Sequence, residues 1–151
     1  MIAGSLGLTG LVVRGAHAEP RRAAGSGGLR PPTSRNTGET LVALPEGFSY
    51  NVLGKQGSDL SDGNKTPTKH DGMAAFRVKG KIRIVRNHEV DSPAGTEGAA
   101  IAKGDRVYDP LAGGGTTTLT IDPETRELLS AHISLAGTHT NCAGGPTPWG
   151  S

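Results

Sequence analysis

The stretch MAAFRVKGKIRIVRN, residues 73–87, decides the fold class of this chain. Residues 73–78 predict one β-strand and residues 82–87 predict its return partner, with a tight Lys-Gly-Lys turn between them. Successive side chains of the return strand alternate between two faces, with Ile82, Ile84 and Arg86 on one and Arg83, Val85 and Asn87 on the other. The stretch therefore predicts an antiparallel hairpin.

A second hairpin is predicted further along the chain. The β-branched run at residues 116–121 indicates a strand, residues 122–126 carry a turn signal, and residues 127–135 indicate the partner strand. Short strands joined by turns, without a convincing helix, predict an all-β fold. The pattern is most like consecutive blades of a β-propeller.

Shorter signals lie before the first hairpin. Residues 40–44 form a short apolar run, and residues 48–53 alternate apolar and polar side chains, which predicts a half-buried strand. The Gly-rich and polar segments at 54–69 and 91–115 predict long loops. The count is therefore five or six short strands.

Composition excludes several classes of protein. The 151 residues carry a net charge of +2, 24 Gly, 10 Pro and only 3% aromatic residues. This length suits one domain, and the many glycines and prolines favour short strands over a helical bundle. The near-neutral charge gives no strong attraction to nucleic acid, so we expect no nucleic-acid partner.

Several catalytic and metal motifs are incomplete. The triple glycine at 113–115 is not followed by the residues of a phosphate-binding loop, and no GxSxG elbow occurs. Asp59, Asp62 and Asn64 lack the spacing and the final Glu of an EF-hand. No CxxC or Cys/His spacing indicates a tetrahedral zinc site.

Residues 1–18 predict an export signal. An apolar run of about 12 residues, too short to span a bilayer as a helix, precedes Ala16-His17-Ala18, which has the form of a signal peptidase site. We expect cleavage after Ala18, no stable membrane span, and passage through the export machinery. No basic residue precedes the apolar run, so we expect an N-terminally truncated signal with a twin-arginine pair upstream; a plain apolar tail is the alternative. Residues 19–39 predict a flexible linker.

Residues 136–151 hold the only Cys and the only Trp of the chain, surrounded by Gly and Pro. Gly and Pro weaken helices and strands, so the segment predicts a loop that brings backbone and one thiol close to a ligand. Cys142 is either an inert turn residue or, as a thiolate, a soft ligand for iron, zinc or copper. The residues alone leave both interpretations open.

Two polar clusters flank the first hairpin. His70-Asp71 precedes its first strand, and Asn87-His88-Glu89 ends its second. Because the open ends of an antiparallel hairpin lie side by side, we expect both clusters at one rim. Glu89 is there either a ligand for a hard cation such as calcium or a solvated charge. His70 and Asp71 are either a carboxylate–histidine pair supporting a metal ligand or plain turn residues.

Six motifs carry a family resemblance. They are LPEGFSY at 44–50, HDGMAAF at 70–76, VRNHE at 85–89, YDP at 108–110, AGGGTTTL at 112–119 and NCAGGPTPWGS at 141–151. In this order they resemble the N-terminal part of the PhoX family of secreted bacterial alkaline phosphatases. The resemblance implies a six-bladed β-propeller-like fold, of which this chain would supply about one to two blades. Since the family domain is several times longer, we expect residues 40–151 to be an N-terminal fragment and the chain to be inactive by itself.

The resemblance also implies an activity, cofactors and a location. Family members are exported by the twin-arginine route to the periplasm or beyond, and they hydrolyse phosphate monoesters with calcium and iron. Cys142 matches a family iron ligand, and Glu89 is assigned to the metal cluster. The candidate supports of this site are His70, Asp71, Asn87, His88 and Asn141. The rival function is a non-catalytic secreted β-propeller-like module with a binding or structural role.

Overall fold

A computed structural model of the chain describes residues 28–145 and 147–149. The predicted export signal at 1–18 and the first part of the predicted linker lie outside the described residues. Within the described ranges, no helix has both the length and the apolar character needed to cross a bilayer.

One antiparallel sheet of four strands organises the chain. The strands are β1 (His70–Val78), β2 (Lys81–His88), β3 (Gly114–Ile121) and β4 (Leu128–Thr138). They lie in the order β1-β2-β3-β4, so each strand pairs with its sequence neighbour. The described residues contain no α-helix and one 3-10 turn at Gly104–Arg106. The all-β prediction and both predicted hairpins are confirmed; a four-stranded meander is also the form of one propeller blade, and the number of blades stays a prediction.

The core lies on one face of this sheet. Alternation places Leu119 of β3 beside Ala131 of β4 on that face, and both are buried together with Ile133. Leu53 and Leu60, from the segment before β1, pack against them. Burial of these apolar side chains holds the irregular N-terminal segment on the sheet.

The outer edge of β4 is covered by the same segment. Ser61 N donates to Ala131 O at 2.7 Å, and Ser61 Oγ accepts from Ala131 N at 3.0 Å. Asp62 Oδ2 accepts from Ile133 N at 3.0 Å. These hydrogen bonds satisfy edge groups that would otherwise be open to pairing with another chain.

The prediction of a strand at residues 48–53 is wrong. No strand is formed there, and Phe48 is exposed. The side chain of Asn36 takes the place of a neighbouring strand, since its Oδ1 accepts from Val52 N at 2.9 Å and its Nδ2 donates to Val52 O at 2.8 Å. Such side-chain bonds to backbone compete with a sheet ladder.

Part of the predicted linker is among the described residues. Arg30 and Leu44 form an isolated antiparallel bridge, with N-to-O distances of 2.8 Å in both directions. Ser34 is buried, and its backbone N donates to Glu39 O at 2.7 Å. Residues 30–39 thus lie against residues 44–52 in a hydrogen-bonded arrangement.

Candidate metal centre

The open end of the β1–β2 hairpin forms a rim at which two polar clusters meet. His70 of β1 pairs in register with His88 of β2, and the chain beyond continues the contact through Glu89 N, which donates to Lys69 O at 2.9 Å. The side-by-side placement predicted for these two clusters is therefore confirmed. Alternation along the strands then decides which side chains face solvent at this rim.

A β-bulge interrupts β1 at the rim. His70 pairs with His88 and Met73 pairs with Arg86, so two residues, Asp71 and Gly72, stand opposite the single residue Asn87. A bulge of this kind bends the strand and changes the direction of the side chains beside it. It allows the Gly72 N–H to point away from β2 and to bond elsewhere.

Asp71 and Glu89 bring two carboxyl groups together at this rim. They lie within hydrogen-bonding reach of each other, and the Asp71 carboxyl raises the pKa of Glu89 above its ordinary value. Asp91 lies two residues beyond Glu89 and is bound by Lys69, with 2.7 Å between Oδ1 and Nζ. Two close carboxylates without a cation between them repel, which is the electrostatic setting that a hard divalent ion relieves.

The loop that carries Cys142 is fastened to the same rim. Gly72 N donates to Cys142 O at 2.7 Å, and Asn87 Nδ2 donates to the carbonyl of Ala143 at 2.8 Å. Before Cys142, Thr140 N donates to Val90 O at 3.1 Å. Cys142 itself is free and exposed. The bulge therefore places the thiol loop beside the strand that carries Asp71.

The supporting residues take different positions. His70 packs edge-on against His88, with 5.1 Å between ring centroids, and its Nε2 lies 2.9 Å from Pro67 O. Partial burial and the positive charge of Arg86 lower the pKa of His70. Asn141 Oδ1 accepts a short hydrogen bond from Thr138 Oγ1, which links the start of the loop to the end of β4.

His88 is an interior residue, and its role as a support of the site stays a prediction. It is fully buried, with Nδ1 2.9 Å from Thr68 O and Nε2 2.9 Å from Thr117 Oγ1. Burial lowers the pKa of His88 to about 4, so the ring is neutral at pH 7. The physical reason is alternation, because His88 is in phase with the core-facing residues of β2.

The donor types at the rim suit two kinds of metal. Asp71 and Glu89 offer the oxygen donors that calcium prefers, and Cys142 offers the sulfur donor that softer iron accepts. The described residues contain no group of three or more His, Cys, Asp or Glu side chains placed to hold one ion. The sequence pointed to these three residues, whereas no sequence signal marks Gly72 as the contact of the Cys142 loop.

The face of the sheet opposite the core carries an open trough of about 520 Å³. Its lining is mainly apolar and includes Ala74, Phe76, Val78 and Val85. Asn87 and the loop residues 143–145 also line it, so the trough extends to the rim. The candidate metal centre and the trough are therefore neighbouring features of one hairpin.

The fold and the rim define an all-β domain with a candidate metal centre. A family model described as alkaline phosphatase PhoX matches residues 30–151. This chain belongs to the PhoX alkaline phosphatase family. Neither the curated proteins nor the solved structures include a match to it.

Proposed function

We propose that this chain is part of a metal-dependent enzyme that hydrolyses phosphate monoesters. The observation that carries the proposal is the family match over residues 30–151. The close carboxyl groups of Asp71 and Glu89 and the exposed thiol of Cys142 support it, since they combine hard and soft donors at one rim. The proposed substrates are small phosphate esters, and we expect no nucleic-acid partner.

Calcium and iron are the proposed cofactors. Glu89, with Asp71 beside it, would hold calcium, and Cys142 would hold iron. When bound, such cations neutralise charge on the phosphate oxygens and on the departing alkoxide. The chain's own contribution is positional: Gly72 and Asn87 hold the thiol loop, while His70 and His88 stabilise the rim from behind.

The proposal includes a location and a division of the chain. Residues 1–18 are the export signal for the twin-arginine route, residues 19–39 are the linker, and residues 40–151 are the N-terminal part of the phosphatase domain. The enzyme then acts in the periplasm or outside the cell.

Hydrolysis of p-nitrophenyl phosphate tests the proposal. The 151-residue chain and the complete product of its gene are assayed with calcium and iron, and again after chelation. We expect calcium-dependent turnover in the complete product and none in the 151-residue chain. Turnover that survives chelation, or no turnover by the complete product with both metals, would contradict the proposal.

A second candidate function is a non-catalytic module with a binding or structural role. The apolar trough lined by Phe76, Val78 and Val85 favours it, because exposed apolar surfaces of this kind mark packing or docking faces. Under this alternative the complete product binds neither metal, and a Cys142→Ser variant retains all its properties. Metal content measured after purification in calcium and iron separates the two functions.

A further inference from the structure

We propose that Gly72 is a positioning residue whose backbone N–H holds the thiol of Cys142 at the rim. This inference depends on the proposed function at one point only, the role of Cys142 as a metal ligand. The placement of the loop by Gly72 is an independent statement about the protein without metal. The two statements can therefore fail separately.

The first support is the closeness of the two backbones. Besides the 2.7 Å hydrogen bond from Gly72 N to Cys142 O, a Cβ atom at residue 72 would overlap that same carbonyl oxygen. It would also lie 3.0 Å from Ala143 Cα and 3.2 Å from Gly144 N. Gly72 is not among the residues with a left-handed backbone. A glycine is therefore needed at this position because of the close contact with the loop and not because of its φ angle.

The second support is the bulge that makes Gly72 available. Because Asp71 and Gly72 share one partner position on β2, the Gly72 N–H is free to bond outside the hairpin. The opposing residue, Asn87, uses its side-chain amide for the next carbonyl of the same loop, that of Ala143. Gly72 and Asn87 thus hold the carbonyl groups of two consecutive loop residues, Cys142 and Ala143.

The third support is the lack of other packing for this loop among the described residues. Residues 142–145 are exposed, and a Cβ added at Gly145 would meet nothing within 4 Å. The loop is therefore held by hydrogen bonds to Gly72 and Asn87 and not by buried side chains. Displacing Cys142 O from Gly72 would therefore shift the segment that carries the thiol relative to β1.

A nitroxide label on Cys142 measures the placement directly, since this is the only Cys of the chain. The variants are Gly72→Ala, which introduces the overlap, and Asn87→Ala, which removes a hydrogen bond without adding atoms. The matched control is Gly145→Ala, the same chemical change in the same loop at a position with open space. Circular dichroism checks that the sheet remains folded in each.

We expect an immobilised label in the wild type and in Gly145→Ala, and a mobile label in Gly72→Ala and Asn87→Ala. In a parallel experiment, cobalt(II) reports the thiolate through its charge-transfer absorption, and we expect about a tenfold loss of cobalt affinity in Gly72→Ala, as for residues that orient metal ligands. Asn87→Ala tests the second hydrogen bond that holds the loop, and unfolding of the sheet in Gly72→Ala would contradict a role of Gly72 confined to positioning the loop.

The outcomes separate the two statements. A mobile label in the wild type, or equal label mobility in Gly72→Ala and Gly145→Ala, overturns the positioning role of Gly72. An ordered wild-type label that is released in Gly72→Ala but not in Gly145→Ala supports that role, even if cobalt gives no thiolate absorption. Absence of that absorption in the complete product of the gene counts instead against Cys142 as a metal ligand.

Discussion

Replacing Arg86 by methionine should stabilise this protein. Arg86 lies on the core face of β2 and is only 3% exposed. Its Nη1 donates to Gly54 O at 3.2 Å, whereas Nε and Nη2 are buried without a hydrogen-bond partner among the described residues. No described carboxylate forms an ion pair with it. Burial accordingly lowers the pKa of the Arg86 guanidinium.

The magnitude follows from two opposing effects. Removing a buried, unpaired charge relieves a desolvation penalty of several kcal/mol, and losing the bond to Gly54 costs about 1–3 kcal/mol. We expect Arg86→Met to raise the free energy of unfolding by about 2 kcal/mol. Methionine keeps a similar apolar stem in the core, so little packing is lost.

Urea unfolding followed by far-ultraviolet circular dichroism measures the change. The matched control is Arg83→Met, an exposed position on the same strand, for which a change below about 0.5 kcal/mol is expected. A fall of about 2 kcal/mol or more in Arg86→Met would refute the reasoning. It would mean that Nε and Nη2 have a negatively charged partner in the folded protein.

Two further predictions concern single polar groups. Thr117→Val should lower the free energy of unfolding by about 1–2 kcal/mol because the buried His88 Nε2 loses its partner, whereas Thr118→Val, on the opposite face, should have little effect; urea unfolding decides. Lys81 and two turn N–H groups hold the pKa of Asp122 well below its usual range. This carboxylate therefore contributes stability above its unfolded pKa, near about 4, that is lost as the pH falls through its folded pKa. The Tm of Asp122→Asn should then fall less steeply below about pH 4 than that of the wild type, and equal slopes in calorimetry would contradict this.

The four strands were predictable because their signals are local. Residues 82–87 alternate, residues 116–121 are β-branched, and a turn signal follows the first strand of each hairpin. Residues 48–53 carry the same alternation but form no strand. Alternation shows which side chains can be buried, but it does not show whether a neighbouring backbone segment is available for strand pairing. The Asn36 side chain fills that position, and nothing in the sequence near residue 52 indicates it.

The candidate site was predictable in part. A hairpin with a short turn must bring its two open ends together, which is why Asp71 and Glu89 could be placed at one rim. The interior position of His88 also had a signal, its phase with Ile84 on β2. The contact between Gly72 and the Cys142 loop had none, because it joins residues far apart in sequence through a bulge that hydrophobic patterning does not reveal.

The hydrogen bonds that cover the edge of β4 have a consequence for the order of events during synthesis. Ser61 and Asp62 emerge from the ribosome long before Ala131 and Ile133, the residues to which they bond. Until β4 is made, the segment before β1 has no edge to lie on, and Leu60 has no complete surface to pack against. Contacts of such wide sequence separation slow folding. Until then the nascent chain exposes the apolar surface that β4 will later cover. We expect a chaperone, where one is needed, to bind this surface first.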